Sequence, residues 1–422
     1  MRLLLKNCSL IEGLKNILID GKKIAYIGYG FPDSDKQIDI QGNVVIPGII
    51  DSHTHIRDLS LSYKEDWASA SRAAVTNGIT TVLDMPNTIP PTTNLYNLNL
   101  KRKQAKKSLV NYRFFLGATK SNIFEIDRIL KANPNDVVGI KVFMSASNSN
   151  DIVQNKEVLR RIFSVAKFHN KPIVVHSELQ ECIDKWRTKI QYNSPIYHNQ
   201  IRNRECAIKG TELVLKIVSE VWNTLYIAHI STAEEIDMIR KYKESNQVYC
   251  EVTPHHLLLN EKIIKKIGNI GKVNPPLRTE QDNKALWDAV LDGTIDTIAS
   301  DHAPHLLQEK QRHYNEAPSG FPGLETMPHL LINEVNKGNL TLKKLISLMS
   351  ENPAKIFNIE NRGEIQEGYY ADIVAVDMQK KWTIDSSRFY SKAHFSPFDR
   401  WNVQGKVFLT IVNGKVKFYR TL

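Results

Sequence analysis

Several histidines, a lysine and an aspartate stand where apolar stretches of this chain give way to polar residues. The first such place is Asp51-Ser52-His53-Thr54-His55-Ile56-Arg57. Side chains two apart on a strand project to the same face, so His53 and His55 would offer neutral imidazole nitrogens to one metal ion. A lone pair of this kind also occurs on exposed strands, so the chemistry has to be carried by a larger set. The second place is Gly139-Ile140-Lys141-Val142-Phe143. An unpaired ammonium inside an apolar strand is costly: either it bridges to a carboxylate, or burial lowers its pKa. A free amine there could add carbon dioxide, and the resulting N6-carboxylysine would be an anionic oxygen ligand able to bridge two cations.

His176 in Val174-Val175-His176-Ser177-Glu178, His229 in Ile227-Ala228-His229-Ile230-Ser231 and Asp301 in Ala299-Ser300-Asp301-His302 complete the set. Each histidine alone reads as a core residue, but both close apolar runs in a chain that already holds the first pair. Four imidazoles, one carbamate and one carboxylate suit two divalent metal ions, with Zn2+ as the expected ion. Such a pair generates a nucleophile near neutral pH and polarises a carbonyl, while a carboxylate such as Asp301 moves a proton to a leaving nitrogen. The expected chemistry is hydrolysis of an amide-like bond, or its reversal.

Something must bring these distant residues together. Eight short runs rich in Val, Ile and Thr recur in the middle of the chain: 49–55, 80–87, 111–118, 137–144, 172–178, 225–230, 247–254 and 294–301. Helical patterns lie between them, as at 64–77, 155–168 and 233–243. Eight strand–helix units predict an α/β fold, a (β/α)8 TIM-like barrel over 48–357, with a doubly wound open sheet as the alternative. Nearly every run ends in a polar or ionisable residue, and barrel enzymes carry their chemistry at the C-terminal ends of the strands. The two ends of the chain have another rhythm. Asp20-Gly21 and Asn413-Gly414 sit between short apolar runs as hairpin turns. Residues 1–47 plus 358–422 are therefore expected to form one composite β-sandwich domain.

Composition closes off other classes. With 42% hydrophobic and 24% charged residues the 422-residue chain has the make-up of a globular protein rather than a disordered or fibrous one. The longest apolar candidate, Val44 to Ile50, is far short of a membrane span. Met1 to Ile17 is interrupted by Lys6, Asn7, Glu12 and Lys15, unlike a signal peptide, so a cytoplasmic location is expected. Cys8, Cys182, Cys206 and Cys250 form no CxxC pair, which excludes a zinc ribbon, and no disulfide framework is expected. The net charge of +11 is spread along the chain. Its densest cluster, Lys101, Arg102, Lys103, Lys106 and Lys107, lacks interleaved aromatics and reads as a solvated helix face, not a nucleic-acid site.

Taken in order, these segments resemble the amidohydrolase superfamily and, within it, the dihydroorotases. The likeness spans essentially the whole chain. It includes Val45-Ile46-Pro47-Gly48-Ile49-Ile50-Asp51 leading into the HxHxR segment, Met85-Pro86-Asn87-Thr88, the Lys141 strand, Thr253-Pro254-His255-His256, Asn274-Pro275-Pro276-Leu277-Arg278, Asp301-His302-Ala303-Pro304-His305, Gly320-Phe321-Pro322-Gly323-Leu324-Glu325-Thr326 and Asn352-Pro353-Ala354. The resemblance implies that His53, His55, Lys141, His176, His229 and Asp301 form a binuclear site, with Asp301 also the general acid/base. It implies the reversible cyclisation of N-carbamoyl-L-aspartate to L-dihydroorotate in pyrimidine synthesis. It is also consistent with a homodimer and with association with aspartate carbamoyltransferase.

Hydantoinases and allantoinases share those ligands, so substrate choice must come from what binds the ring carboxylate. Arg57 can grip a carboxylate with two charge-assisted hydrogen bonds, which a neutral hydantoin does not need. The family pattern pairs it with Asn87 and His305, and Asn274 and the Ser319-Gly320 turn match positions implied to touch the ring or the carboxylate. Taken singly, Asn87 and Asn274 read as turn residues beside proline, and His302, His255 and His256 as structural residues or as supports behind the ligands. Two features depart from some relatives: Asp58-Leu59-Ser60 stands where many have Pro-Gly, and Lys141 stands where some bacterial members have aspartate. The rival readings are a hydantoinase or allantoinase and, from another class, a non-catalytic barrel supporting a carbamoyltransferase.

Overall fold

The computed structural model describes residues 2–146, 151–190 and 193–421. Eight parallel strands form the central sheet: β6 (Ile49–Thr54), β7 (Ile79–Asp84), β8 (Asn111–Gly117), β9 (Val137–Phe143), β10 (Ile173–His176), β11 (Leu225–Ile227), β12 (Val248–Val252) and β13 (Thr297–Ile298). Each lies within, or a residue from, one of the eight apolar runs. Neighbours pair in chain order, and the sheet closes where Thr54 bridges His302 in parallel, with the His55 N–H donating to the His302 carbonyl at 2.8 Å. An open doubly wound sheet is excluded by this pairing order and closure.

Helices cover the outside, and local chemistry starts them. Asp66 and Thr232 each make a capping box at the heads of helices Trp67–Val75 and Ala233–Lys243, and Asn155 caps Lys156–Phe168. In helix Ile123–Lys131 the buried residues Ile123, Ile126, Ile129 and Leu130 recur at helical spacing, each worth about 1.5–3 kcal/mol of apolar burial. Inside the barrel, Ile50, Leu83, Phe115, Val138, Val174 and Tyr226 pack on one another and on Phe357, whose ring lies 5.5 Å from Phe115 and 5.0 Å from Tyr226. The barrel interior is thus filled by side chains, and chemistry is left to its rim.

Both ends of the chain build one connected eight-stranded sheet. It comprises β1 (Arg2–Leu10), β2 (Gly13–Asp20), β3 (Lys23–Gly28), β4 (Lys36–Asp39), β5 (Val44–Pro47), β14 (Ile373–Thr383), β15 (Asn402–Val412) and β16 (Lys415–Tyr419). β14 pairs antiparallel with β5, so C-terminal residues meet N-terminal ones, and Leu3, Ile17, Ile19, Val45, Ile373 and Leu409 share a core. Among the described residues no helix is long and apolar enough to cross a membrane.

Two sequence expectations give way here. Lys101 is not on a solvated face: it is 1% exposed, ion-paired with Asp84 at 2.7 Å and donates to the Met85 carbonyl at 2.6 Å. Asp84, at the end of β7, is the buried charge that holds it, whereas Lys103, Lys106 and Lys107 are exposed. Cys182 and Cys206, 24 residues apart, are joined as a disulfide, while Cys8 and Cys250 are free and buried. Their pairing comes from the packing of helices Gln180–Lys189 and Arg204–Val221, which linear spacing does not reveal.

Candidate active site

The C-terminal ends of the barrel strands bring the six singled-out residues together. His53 and His55 leave β6 with Nε2 atoms 3.4 and 3.2 Å from Oδ1 of Asp301. Ring centroids of His53 lie 5.2 Å from His55 and 5.3 Å from His229, and those of His176 and His229 lie 4.7 Å apart. Lys141 is fully buried in β9 with its Nζ lacking any hydrogen-bond partner. Burial pushes its pKa down to about 8, against the opposing charges of Glu251 and Asp301. His229 and Asp301 both sit at positive φ, 37° and 45°. A non-glycine residue held there costs about 1–3 kcal/mol, a strain that clusters at functional sites.

Tautomers assigned from the hydrogen-bond network decide which nitrogens face inward. His53 Nδ1 lies 2.7 Å from Oε1 of Glu251, and His55 Nδ1 lies 2.6 Å from Oδ1 of Asn87. Both oxygens only accept, so each Nδ1 carries the proton and each Nε2 turns a lone pair toward Asp301. His176 is oriented the other way round: its Nε2 lies 3.0 Å from Oε2 of Glu178, leaving Nδ1 to face His229 Nε2 at 2.9 Å. Burial drives the pKa of His55 down to about 3 and lowers those of His176 and His229, so the imidazoles are neutral.

This donor set fits a cation. Two imidazole lone pairs confront a carboxylate oxygen with no proton between them, and the three ligand atoms of His53, His55 and Asp301 lie within 4.8 Å of one another. His229 Nδ1 and Lys141 Nζ are buried without partners. The support around the ligands is equally closed. Glu251 also accepts from the Tyr226 hydroxyl at 2.7 Å, and Glu178 is gripped by Arg202 at 2.6 Å. Neither Glu251 nor Arg202 was singled out from the sequence. Glu251 was discoverable, since a carboxylate inside the apolar run Val248-Tyr249-Cys250-Glu251-Val252 carries the same signal as Lys141. Arg202 leaves no such mark in its polar segment.

Beside this cluster is a second, donor-rich one. Arg57 is 2% exposed, has no carboxylate in salt-bridge contact among the described residues, and donates from Nε to the Pro304 carbonyl at 3.2 Å. Its Nη2 lies 3.1 Å from His305 Nε2. Asn87 Nδ2 is buried without an acceptor, while its Oδ1 accepts from His55 Nδ1. Arg57, Asp58 and Leu59 take consecutive positive φ values of 47°, 45° and 48°, and this is the shape of the loop that departs from Pro-Gly. The Asp58 side chain accepts from the Leu59 N–H at 2.5 Å to begin a turn of 3-10 helix, Leu59–Leu61.

Asn274 and Ser319-Gly320 line the small cavity that also borders His53, His55, His176, His229 and Asp301. Outside it opens a cavity of about 610 Å³ lined by Asn87, Arg202, Lys272 and Asn274, among others. Gly320 has φ 117°, and a Cβ there would stand 2.7 Å from the Ala303 carbonyl, so only glycine fits. Two buried ammoniums fasten this loop. Lys310 Nζ donates to the carbonyls of Lys272, Pro318 and Gly320 at 2.9–3.0 Å, and Lys272 Nζ to those of Tyr314 and Ala317 at 2.6 Å. His302 Nδ1 accepts from the Gly323 N–H at 3.2 Å, and His256 bridges Thr253 and the Pro275 carbonyl.

A closed parallel barrel with histidines, a lysine and an aspartate at its rim is the arrangement of a metal-dependent hydrolase, and the sequence matches the amidohydrolase family over residues 44–417. The chain belongs to that family. A dihydroorotase of Methanosphaera stadtmanae is 33% identical over 98% of this chain and 96% of its own length. A dihydroorotase of Methanothermobacter thermautotrophicus is 35% identical over 97% and 93%. Among solved structures, the L-hydantoinase (dihydropyrimidinase) of Arthrobacter aurescens superposes with a TM-score of 0.95 at 30% identity, covering 100% of this chain and 96% of that one.

Proposed function

We propose that this chain is a dihydroorotase, interconverting N-carbamoyl-L-aspartate and L-dihydroorotate. The observation that carries this reading is the donor cluster of Arg57, His305 and Asn87 beside the His53–His55–Asp301 cluster. Arg57 Nη2 and His305 Nε2 lie 3.1 Å apart with no carboxylate between them, and one anionic oxygen can accept from both. Dihydroorotate carries that oxygen on its ring carboxylate; hydantoin does not. The curated relatives named dihydroorotase at near full coverage support the same choice.

In this reading His53, His55, Lys141, His176, His229 and Asp301 hold two divalent ions, with zinc the proposed metal and Lys141 carboxylated. The Lys141 amine, more of it in the free form because burial lowers its pKa to about 8, adds to carbon dioxide, forming an N–C bond and releasing one proton. When bound, the ions supply Lewis acidity to the ring amide carbonyl and to the attacking water. The protein's own part is orientation and proton transfer. Arg57, Asn87 and His305 grip the carboxylate, and Asn274 with the Ser319-Gly320 loop holds the ring. Asp301 accepts a proton from the attacking water as the new C–O bond forms. It then delivers that proton to the ring nitrogen as the C–N bond breaks, and the reverse order closes the ring. A homodimer and contact with aspartate carbamoyltransferase remain part of the proposal.

The 0.95 superposition on an L-hydantoinase favours a second reading, a hydantoinase or allantoinase. Initial rates of zinc-loaded protein on dihydroorotate, carbamoyl aspartate, hydantoin and allantoin separate the two. Turnover of the first pair is expected; turnover only of the last pair would overturn the first reading. Loss of all turnover with zinc bound would instead favour the scaffold.

A further inference from the structure

Lys64 lies outside the candidate ligands, and its sequence shows only that the Lys64-Glu65-Asp66 run follows Arg57. Its Nζ sits 3.0 Å from Nδ1 of His305 and 2.8 Å from Oε1 of Glu309. An ammonium has three donors and no acceptor, so His305 Nδ1 must accept. The neutral imidazole then carries its one proton on Nε2. That Nε2–H lies 3.1 Å from the Ser319 carbonyl and 3.1 Å from Arg57 Nη2, so a second donor is set beside the guanidinium. Burial, with Arg57, Lys64 and Lys310 around the ring, keeps a second proton off His305.

We propose that Lys64 is a positioning residue for substrate: by occupying Nδ1 of His305 it fixes the tautomer whose Nε2–H joins Arg57 in gripping the carboxylate. The identity of that carboxylate rests on the dihydroorotase reading; the tautomer does not. The competing arrangement is close at hand. Oε2 of Glu309 lies 3.8 Å from the same Nδ1. Without Lys64 this carboxylate, which also accepts from the Leu306 N–H at 2.9 Å, draws the proton to Nδ1. Nε2 then becomes an acceptor, takes up an Arg57 N–H, and leaves the anion with one donor spent and another lost.

The test is the nitrogen NMR signature of His305 in full-length, zinc-loaded protein labelled with 15N-histidine, assigned by loss of the signals in His305→Asn. Wild type should show a protonated Nε2 and a bare Nδ1, and Lys64→Met the reverse. Lys64→Arg, which also can only donate, should keep the wild-type pattern. KM of Lys64→Met for both substrates should rise about 10-fold or more, the worth of one charge-assisted hydrogen bond, with kcat changed less than about threefold. Glu309→Gln removes the ion pair but leaves Lys64, and should keep both tautomer and KM. A bare Nε2 in wild type, an unchanged tautomer in Lys64→Met, or an inverted tautomer with unchanged KM would each overturn the proposal. So would Glu309→Gln reproducing the kinetics of Lys64→Met. Failure of the dihydroorotase reading shows up separately, as wild-type protein that does not turn over dihydroorotate while the tautomer pattern still reports.

Discussion

Nδ1 of His53 lies 2.7 Å from Oε1 of Glu251, and both side chains are sealed from solvent. Glu251 thereby selects which nitrogen of His53 faces the cluster, although it touches no candidate ligand atom itself. Replacing it with alanine removes the acceptor and frees the ring. Metal affinity of Glu251→Ala should fall about 10–100-fold, as for other lost outer partners of metal ligands. Competition against a chelator measures this, and wild-type affinity would refute the role.

Asp301 contacts both His53 and His55 through one oxygen, and the three offer ligand atoms within 4.8 Å of one another. Asp301→Asn keeps the shape and removes the proton acceptor. Turnover in both directions should drop by about 10²–10⁴, the usual worth of a general acid/base, with thermal unfolding little changed. Near-wild-type rates in either direction would count against proton transfer by Asp301.

Arg57 tests substrate choice. Arg57→Ala should raise KM for dihydroorotate and carbamoyl aspartate about 10–100-fold, with a smaller change in kcat. Steady-state kinetics in both directions report it, and an unchanged KM in each would refute the carboxylate grip.

Lys141 tests the carbamate. With a pKa lowered to about 8 by burial, more of its amine is free at neutral pH than for an exposed lysine. Carboxylation needs the deprotonated amine, so its rate climbs with pH below about 8 and levels above it. Apoprotein stripped of carbon dioxide and given zinc at fixed dissolved carbon dioxide should show that profile as activity returns. Lys141→Arg should show no bicarbonate dependence. A pH-independent return of activity would contradict a buried amine as the reactive form.

Much of this was readable in one dimension. The eight apolar runs that became β6 to β13 are short and regularly broken by helical patterns, and a parallel strand buried on both faces has little choice but to be apolar. The polar residues closing those runs stood out for the same reason, since a polar or charged group is costly to bury unless it is paired or coordinated. Lys101 misled because helical periodicity could not say which residue of a basic cluster meets a buried aspartate from another strand. The Cys182–Cys206 bond was missed because its partners meet only through two helices packing after β10.

The sequence by itself determined the elements, the side-chain types at the strand ends and hence the class of chemistry, because apolar periodicity and buried polarity are local properties of the chain. Only the tertiary structure decided which atoms face one another: Nε2 rather than Nδ1 of His53 and His55 toward Asp301, Glu251 and Glu178 behind the imidazoles, and Lys64 behind His305. Tautomers and donor–acceptor directions follow from partners brought from as far as 241 residues away in the chain. Barrel closure sets the long-range encounters of His53 with Glu251 and His305 with Lys64, and no spacing in the sequence records those.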